Sequence, residues 1–278
     1  MRHLTAALLL TGLAALDAGA GAFAAPTAGD KVPLLGHRAV YRLTLGKASG
    51  PKAPADARGM IAYDFSGSAC EGYAMKFRQV TEIQPEEGTT RSSDMNSTTF
   101  EEGDGSGFRF KIQTTQDGTG PSAVDGAAER NGGGLSIALS RPQREKLDLG
   151  DEVVFPTDQT IRLVRAARAG ERTLALKVFD GTDTGKKVYD TLAIIGPARA
   201  EAAPEQAAQD AALKGLARWP VAISYFEPGK TDAPPVYVLS FDLYENGVSR
   251  ALKLDYGDFV LNGEMTRFEA LPAKACDK

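Results

Sequence analysis

The chain has 278 residues, a formal net charge of −4, 42% hydrophobic residues, 30 glycines and two cysteines. Weak, well-mixed charge excludes the broad basic excess of a nucleic-acid binder, and no acidic tail is present. Many glycines and few long helical runs favour strands joined by tight turns.

The first residues, MRHLTAALLLTGLAAL, place Arg2 ahead of an apolar run from Ala6 to Leu16. Ala22-Phe23-Ala24 fits a small-x-small cleavage pattern, so an export signal over 1–24 is expected, removed near Ala24. The run is short for a bilayer span. No later stretch is apolar for long enough to be a membrane helix, so the expected product is exported and soluble, with no transmembrane segment in the mature chain. Roughly 250 residues remain, read as a single domain over 25–278.

Ala39, Tyr41, Leu43 and Leu45 alternate with polar positions, as a half-buried strand does. GKASGPKAPADA after them reads as a loop. Ile61, Tyr63 and Phe65 mark the next strand, Cys70-Glu71-Gly72 a turn, and Tyr73, Met75, Phe77 and Gln79 a further strand. A Thr/Ser-rich strand ending at Phe100 follows, then Phe108, Phe110 and Ile112, then a weak strand between DGTGP and NGGG, then Leu135, Ile137 and Leu139. Short, evenly spaced strands with turn signals between them indicate an antiparallel sheet folded into a barrel or sandwich. One amphipathic helix interrupts them. Thr157 is its expected N-cap, Asp158 sits in the first turn, and Gly170 marks its end. Ile161, Val164 and Ala167 share its apolar face, while Arg162, Arg165 and Arg168 form a basic stripe beside it.

Leu174 to Val178 and Val188 to Ile195 read as a hairpin around DGTDTG. PARAEAAPEQAAQDAALKGL, over 197–216, has little apolar pattern and reads as a partly disordered surface excursion. Strand signals resume from Trp219 to Phe226. In the stretch 235–261, Asn246-Gly247 is a type I′ turn signal. Pairing Glu245 with Val248 sets Phe241 opposite Leu252, Leu239 opposite Leu254 and Tyr237 opposite Tyr256. Asp242, Ser240, Lys253 and Asp255 then take the polar face.

Catalytic candidates are few. Beyond the signal one histidine remains, His37, which suits neither a histidine-based zinc site nor a triad without a GxSxG elbow. Gly181-Thr182-Asp183-Thr184-Gly185-Lys186-Lys187 leaves three residues between its glycines, where a phosphate-binding loop has four. Gly103 to Gly107 lacks the alternating acids of a calcium loop. No catalytic residue, metal or cofactor is assigned. Cys70 and Cys276 sit in no CxxC motif and, in an oxidising compartment, are expected to form a structural disulfide.

Several stretches together carry a family resemblance: His37-Arg38-Ala39-Val40-Tyr41, Phe65 to Tyr73, Phe77-Arg78-Gln79-Val80, Phe155-Pro156-Thr157, Lys177 to Gly181, Trp219-Pro220-Val221, and Tyr244-Glu245-Asn246-Gly247-Val248 through Phe259. The chain resembles the cell-envelope integrity protein B family of alphaproteobacterial periplasmic proteins, over about residues 30 to 276. The resemblance implies an all-β, mainly antiparallel β-spiral, an open barrel-like sheet carrying a helix. It implies an internal disulfide at Cys70 and Cys276, a periplasmic location, and a role in envelope integrity. It points to a periplasmic tetratricopeptide-repeat protein as partner, and by analogy with lipid carriers to a lipid or other amphiphile.

The expected function is a non-enzymatic envelope factor that binds a partner protein or a lipid-like ligand. Tyr237, Leu239, Phe241, Leu252 and Leu254 would line a ligand site, or simply fill the core. The Arg162, Arg165 and Arg168 stripe would serve as a contact for acidic groups, or as favourable charge near the helix end. The alternative is a carboxylate-dependent hydrolase of envelope glycan or lipid.

Overall fold

Period-two alternation dominates the sequence, and the structure converts it into one sheet. The computed structural model describes residues 31–50, 53–132, 134–150, 152–230 and 232–272; from Val32 onward they belong to one unit. The expected signal segment and Cys276 lie outside the described residues. The strands are β1 (His37–Ala48), β2 (Pro54–Ser68), β3 (Gly72–Pro85), β4 (Arg91–Glu101), β5 (Gly107–Gln116), β6 (Ser122–Arg130), β7 (Leu135–Arg141), β8 (Glu145–Leu149) and β9 (Val153–Val154). Helix α1 (Pro156–Arg168) follows, then β10 (Thr173–Val178), β11 (Tyr189–Ile195), β12 (Arg218–Phe226), β13 (Tyr237–Tyr244), β14 (Ser249–Asp255) and β15 (Phe259–Ala270). The stretch read as a loop after Leu45 is partly strand, because β1 runs on against β15 as far as Ala48 and β2 already pairs with β3 from Pro54.

Spatial order is β8-β7-β6-β5-β4-β3-β2-β1-β15-β14-β13-β12-β11-β10-β9. Two meanders are thus joined where the first strand meets the last, from His37↔Ala270 to Ala48↔Phe259. Every pairing is antiparallel except β9 with β10, which are parallel because α1 forms the crossover between them. The free edges, β8 and β9, are consecutive in the chain. They therefore face each other across a seam, and the sheet is nearly closed and barrel-like, as expected.

The seam is held by side chains rather than by a ladder. Phe155 and Phe179 from one side meet Phe108 and Phe110 from the other, with Phe108–Phe155 ring centroids 5.1 Å apart and Phe110–Phe179 at 5.5 Å. Gly181 (φ +74°) lies so close that an added Cβ would sit 2.5 Å from the Phe110 ring. Lys186 pairs with Glu145 across the same gap.

Helix α1 begins two residues earlier than expected. Pro156 takes the first position, where its missing N–H costs nothing, so Thr157 is inside the helix and Phe155 is the N-cap without a side-chain bond. Glu101, from the end of β4, supplies the missing acceptors. At the other end the Glu171 and Gly170 amides return to the Ala166 and Ala167 carbonyls at 2.9 and 3.1 Å, with Gly170 at φ +78°. Leu163, Val164, Ala166 and Ala167 are buried against Ala193, Ile195, Trp219, Val221, Ile223, Phe241 and Leu243, while Ile161 is half-buried.

The β13–β14 hairpin keeps Leu239 opposite Leu254 but reaches it by another route. Tyr244, not Glu245, pairs with Val248: its N–H donates to the Val248 carbonyl at 2.8 Å, around a three-residue turn with Gly247 at φ +84°. A bulge at Ala251 (φ +52°) then restores the expected register and removes the Phe241–Leu252 pair. Contacts outside the hairpin hold this turn: Leu35 N–H on Asn246 O at 2.9 Å, and Glu245 N–H on Ala217 O at 3.0 Å.

The 197–216 segment is not a loose excursion. Ala203, Ala208 and Leu213 are buried with Tyr41, Leu43, Tyr244, Val248, Leu261 and Met265. Beneath it Asp242, expected on the solvent face, is buried with Arg218 and Arg250. Arg218 Nε donates to Asp242 Oδ2 at 3.3 Å, Arg250 Nη1 donates to the same oxygen, and Arg250 Nε donates to Glu205 Oε2 at 2.9 Å. Arg199 stands 3.6 Å from Asp242 and Glu201 stands 3.3 Å from Arg218. Three arginines thus balance three acids, the condition under which such charges tolerate burial.

Candidate binding cleft

A cavity of about 1120 Å³ opens at the seam. One wall is the β4–β5 turn from Glu101 to Gly105; another is the exposed flank of α1 with Asp158, Ile161, Arg162 and Arg165. Its floor comes from Val153 and Val154 of β9, Ala175 to Lys177 of β10, and Asp190 to Leu192 of β11, with Phe226 and Gly229 at the rim.

Glu101 is the most unusual group there. Alternation along β4 turns Ser97, Thr99 and Glu101 to the buried face, and Glu101 accepts the Thr157 amide at 2.8 Å and the Asp158 amide at 3.0 Å. Burial raises its pKa to about 7, against the opposing pull of those amides. The remaining charges are largely matched. Arg162 pairs with Asp158 at 3.0 Å, Lys177 with Asp190 at 2.8 Å, and Arg109 with Glu102 at 3.2 Å. Lys177 is raised and Asp190 lowered by that mutual hydrogen bond. Ile161, Leu176, Leu192 and Phe226 provide apolar surface between the charges. Among the described residues, neither histidine nor cysteine lines the cleft, and no group of three or more His, Cys, Asp or Glu side chains is placed to hold a metal.

The residues singled out from sequence are distributed elsewhere, with two exceptions. Tyr237, Leu239, Phe241 and Leu252 pack in the cluster beneath α1, and Leu254 in the cluster around β1 and β15. Arg162 and Arg165 do line the cleft, while Arg168 turns away to Glu245 at 3.4 Å. His37 is buried, its Nδ1 2.8 Å from the Leu35 carbonyl and its ring among Tyr63, Phe65 and Phe268. Burial lowers its pKa. Cys70 lies in the β2–β3 turn. Sequence reasoning missed Glu101, although its place two residues beyond Thr99 on an alternating strand was a usable signal.

These features define a class: an antiparallel, nearly closed barrel-like sheet that packs one helix and carries a charge-matched cleft at its seam. The EipB-like family model matches residues 28–272. The chain is 35% identical over 257 residues to cell envelope integrity protein EipB of Brucella abortus (strain 2308), covering 90% of this chain and 89% of that protein. It also matches the crystal structure of a beta-barrel-like protein of a domain of unknown function from Brucella abortus. There the TM-score is 0.81 at 34% identity, over 87% of this chain and 100% of the other. The chain belongs to the EipB-like family. Neither relative's name describes an enzyme, and no helix among the described residues is long and apolar enough to cross a membrane.

Proposed function

We propose that the chain is a non-enzymatic factor for cell-envelope integrity, exported to the periplasm, that acts by holding a partner protein in the seam cleft. The observation that carries this reading is the cleft itself: large, and lined by apolar side chains interleaved with charges already matched to one another. The role in the envelope is taken from the relative's name, and a tetratricopeptide-repeat partner from the family resemblance. Leu192→Arg, at an exposed cleft residue, should leave cells as sensitive to detergent as loss of the gene, while Met60→Arg, on a distant exposed strand position, should not. Full resistance in cells making folded Leu192→Arg protein would sink the proposal.

The Cys70–Cys276 disulfide and signal removal near Ala24 belong to the same proposal. In support, the Leu271 N–H bonds the Gly36 carbonyl at 2.8 Å, and an added Cβ on Gly36 would stand 3.7 Å from Ser66 Cα. The chain therefore leaves β15 beside the β2–β3 ribbon whose turn carries Cys70. An amphiphile seated near Tyr237, Leu239, Phe241, Leu252 and Leu254 is the ligand form of the proposal, and extra mass in a native but not a denatured spectrum would reveal it. Glu101 favours the hydrolase reading, since its pKa of about 7 suits an acid catalyst. Both of its oxygens, however, already accept helix amides. Turnover of cell-wall glycan or phospholipid that Glu101→Gln abolishes would establish that reading instead.

A further inference from the structure

The cleft floor contains an unpaired strand edge. In the β10–β11 ladder Ala175 stands opposite Leu192 and Thr173 opposite Ile194. The Ile195 N–H donates to the Arg172 carbonyl at 2.8 Å. By alternation, residues 172, 174, 176 and 178 hydrogen-bond to β11, and the amides and carbonyls of Thr173, Ala175 and Lys177 point the other way. Strand β9 covers only the end of that outward row: it pairs Lys177 with Val153 and Val178 with Val154, and the Phe179 N–H bonds Val154 O at 3.0 Å. Beyond that point the sheet has no further strand, and among the described residues nothing bonds the outward groups of Thr173 and Ala175. Both residues are exposed.

We propose that an extended peptide segment of a partner protein binds here by adding a strand to the open edge of β10. The inference rests on the cleft-binding reading and specifies its mode. Two outward backbone sites, two residues apart, complement one extended chain and no helix. On the face shared with Thr173 and Ala175, Ile194 is 59% and Leu192 39% exposed, so an apolar strip awaits alternate side chains of the added strand. Its intervening side chains would face Ile161 and Arg162 of α1 across the cleft. A segment with an apolar residue at every second position fits both sides. A second copy of this chain fits less well, because the edge lies between α1 and the Glu102–Gly105 turn, where a lone strand enters more easily than another sheet.

The test uses the full mature chain and a phage-displayed library of random 12-residue peptides. The tightest selected peptide is then synthesised and measured against wild type and Ala175→Pro. The Ala175 N–H points away from β11, so proline there removes an outward donor without breaking the β10–β11 ladder. We expect an unchanged melting temperature, at least about tenfold weaker peptide binding, and slowed exchange of the Thr173 and Ala175 amides in the wild-type complex. Should the variant misfold, the exchange measurement on wild type decides alone. Selected peptides that bind the variant equally and leave both amides unprotected overturn the proposal, as does a library that yields no binder. A wild-type dimer that Ala175→Pro dissociates would also overturn it, in favour of a second copy. Detergent-resistant Ala175→Pro cells beside sensitive Leu192→Arg cells would sink strand addition alone; resistance in both would sink the cleft reading as well.

Discussion

Asp242→Asn separates the pattern of the β13 sequence from its environment. On alternation alone Asp242 faces water, and its replacement by a near-isostere would change stability by no more than about 0.5 kcal/mol. In the structure its side chain is 9% exposed and shared between Arg218 and Arg250, with Arg199 3.6 Å away. Asparagine creates no cavity, so the cost comes from leaving one positive charge uncompensated. Removing one partner of a buried ion pair costs about 3–5 kcal/mol. Arg250 keeps Glu205 at 2.6 Å and Arg218 keeps the more exposed Glu201 at 3.3 Å, which places the cost at the lower end, about 3 kcal/mol. For a domain of this size that corresponds to a fall in Tm of about 6–12 °C. Urea unfolding at neutral pH should show a lower midpoint at unchanged slope. Amide exchange should also quicken over 199–213, which the arginines tether through Glu201 and Glu205. A loss below about 1 kcal/mol, the scale of an exposed pair, would refute the buried network.

Glu101 predicts a pH dependence. With its pKa raised from 4.5 to about 7, the folded chain holds a proton that the unfolded chain releases between those values. Its contribution to stability therefore falls as pH rises from 4.5 to 7, by about 3 kcal/mol at most, and Glu101→Gln should flatten that slope in urea titrations at pH 5 and 7.5. His37, whose pKa is lowered by burial, loses stability in the opposite direction as pH falls below 6.5. The wild-type minus variant difference isolates Glu101. Gly181→Ala should cost about 2–4 kcal/mol by thermal melting, from a left-handed φ of +74° and the Phe110 ring, whereas Gly105→Ala, at φ +71° with nothing within 4 Å, should cost about 1–2. Cys70→Ser should leave Cys276 reactive to a thiol probe and cost up to about 5 kcal/mol in the chain-entropy model; two reactive thiols in the native wild-type protein would mean the bridge does not form.

Strands and helix were legible because each has a period of its own. Ala39, Tyr41 and Leu43 alternate and are buried, and Leu239 meets Leu254 as the pattern demands. Other features were not legible because their partners lie far off in sequence. The helix cap was assigned to Thr157, its nearest hydroxyl, while the acceptor is Glu101, which bonds the Thr157 amide from 56 residues away. The hairpin turn shifted by one residue because Ala217 and Leu35 bond its backbone, and a bulge at Ala251 absorbed the difference.

By itself the sequence determined an antiparallel β chain with one amphipathic helix, and the stretches that mark its family. Both follow from local alternation, turn residues and caps, which act over a few neighbours. The tertiary structure alone decided which polar positions are buried, since alternation separates two faces but does not say what covers the second one. For Asp242 the cover is the 197–216 segment, whose Ala203, Ala208 and Leu213 contacts follow no period. It also decided the cleft, because β8 and β9 meet at the seam without pairing, and part of the β10 edge stays open only where the two residues of β9 run out.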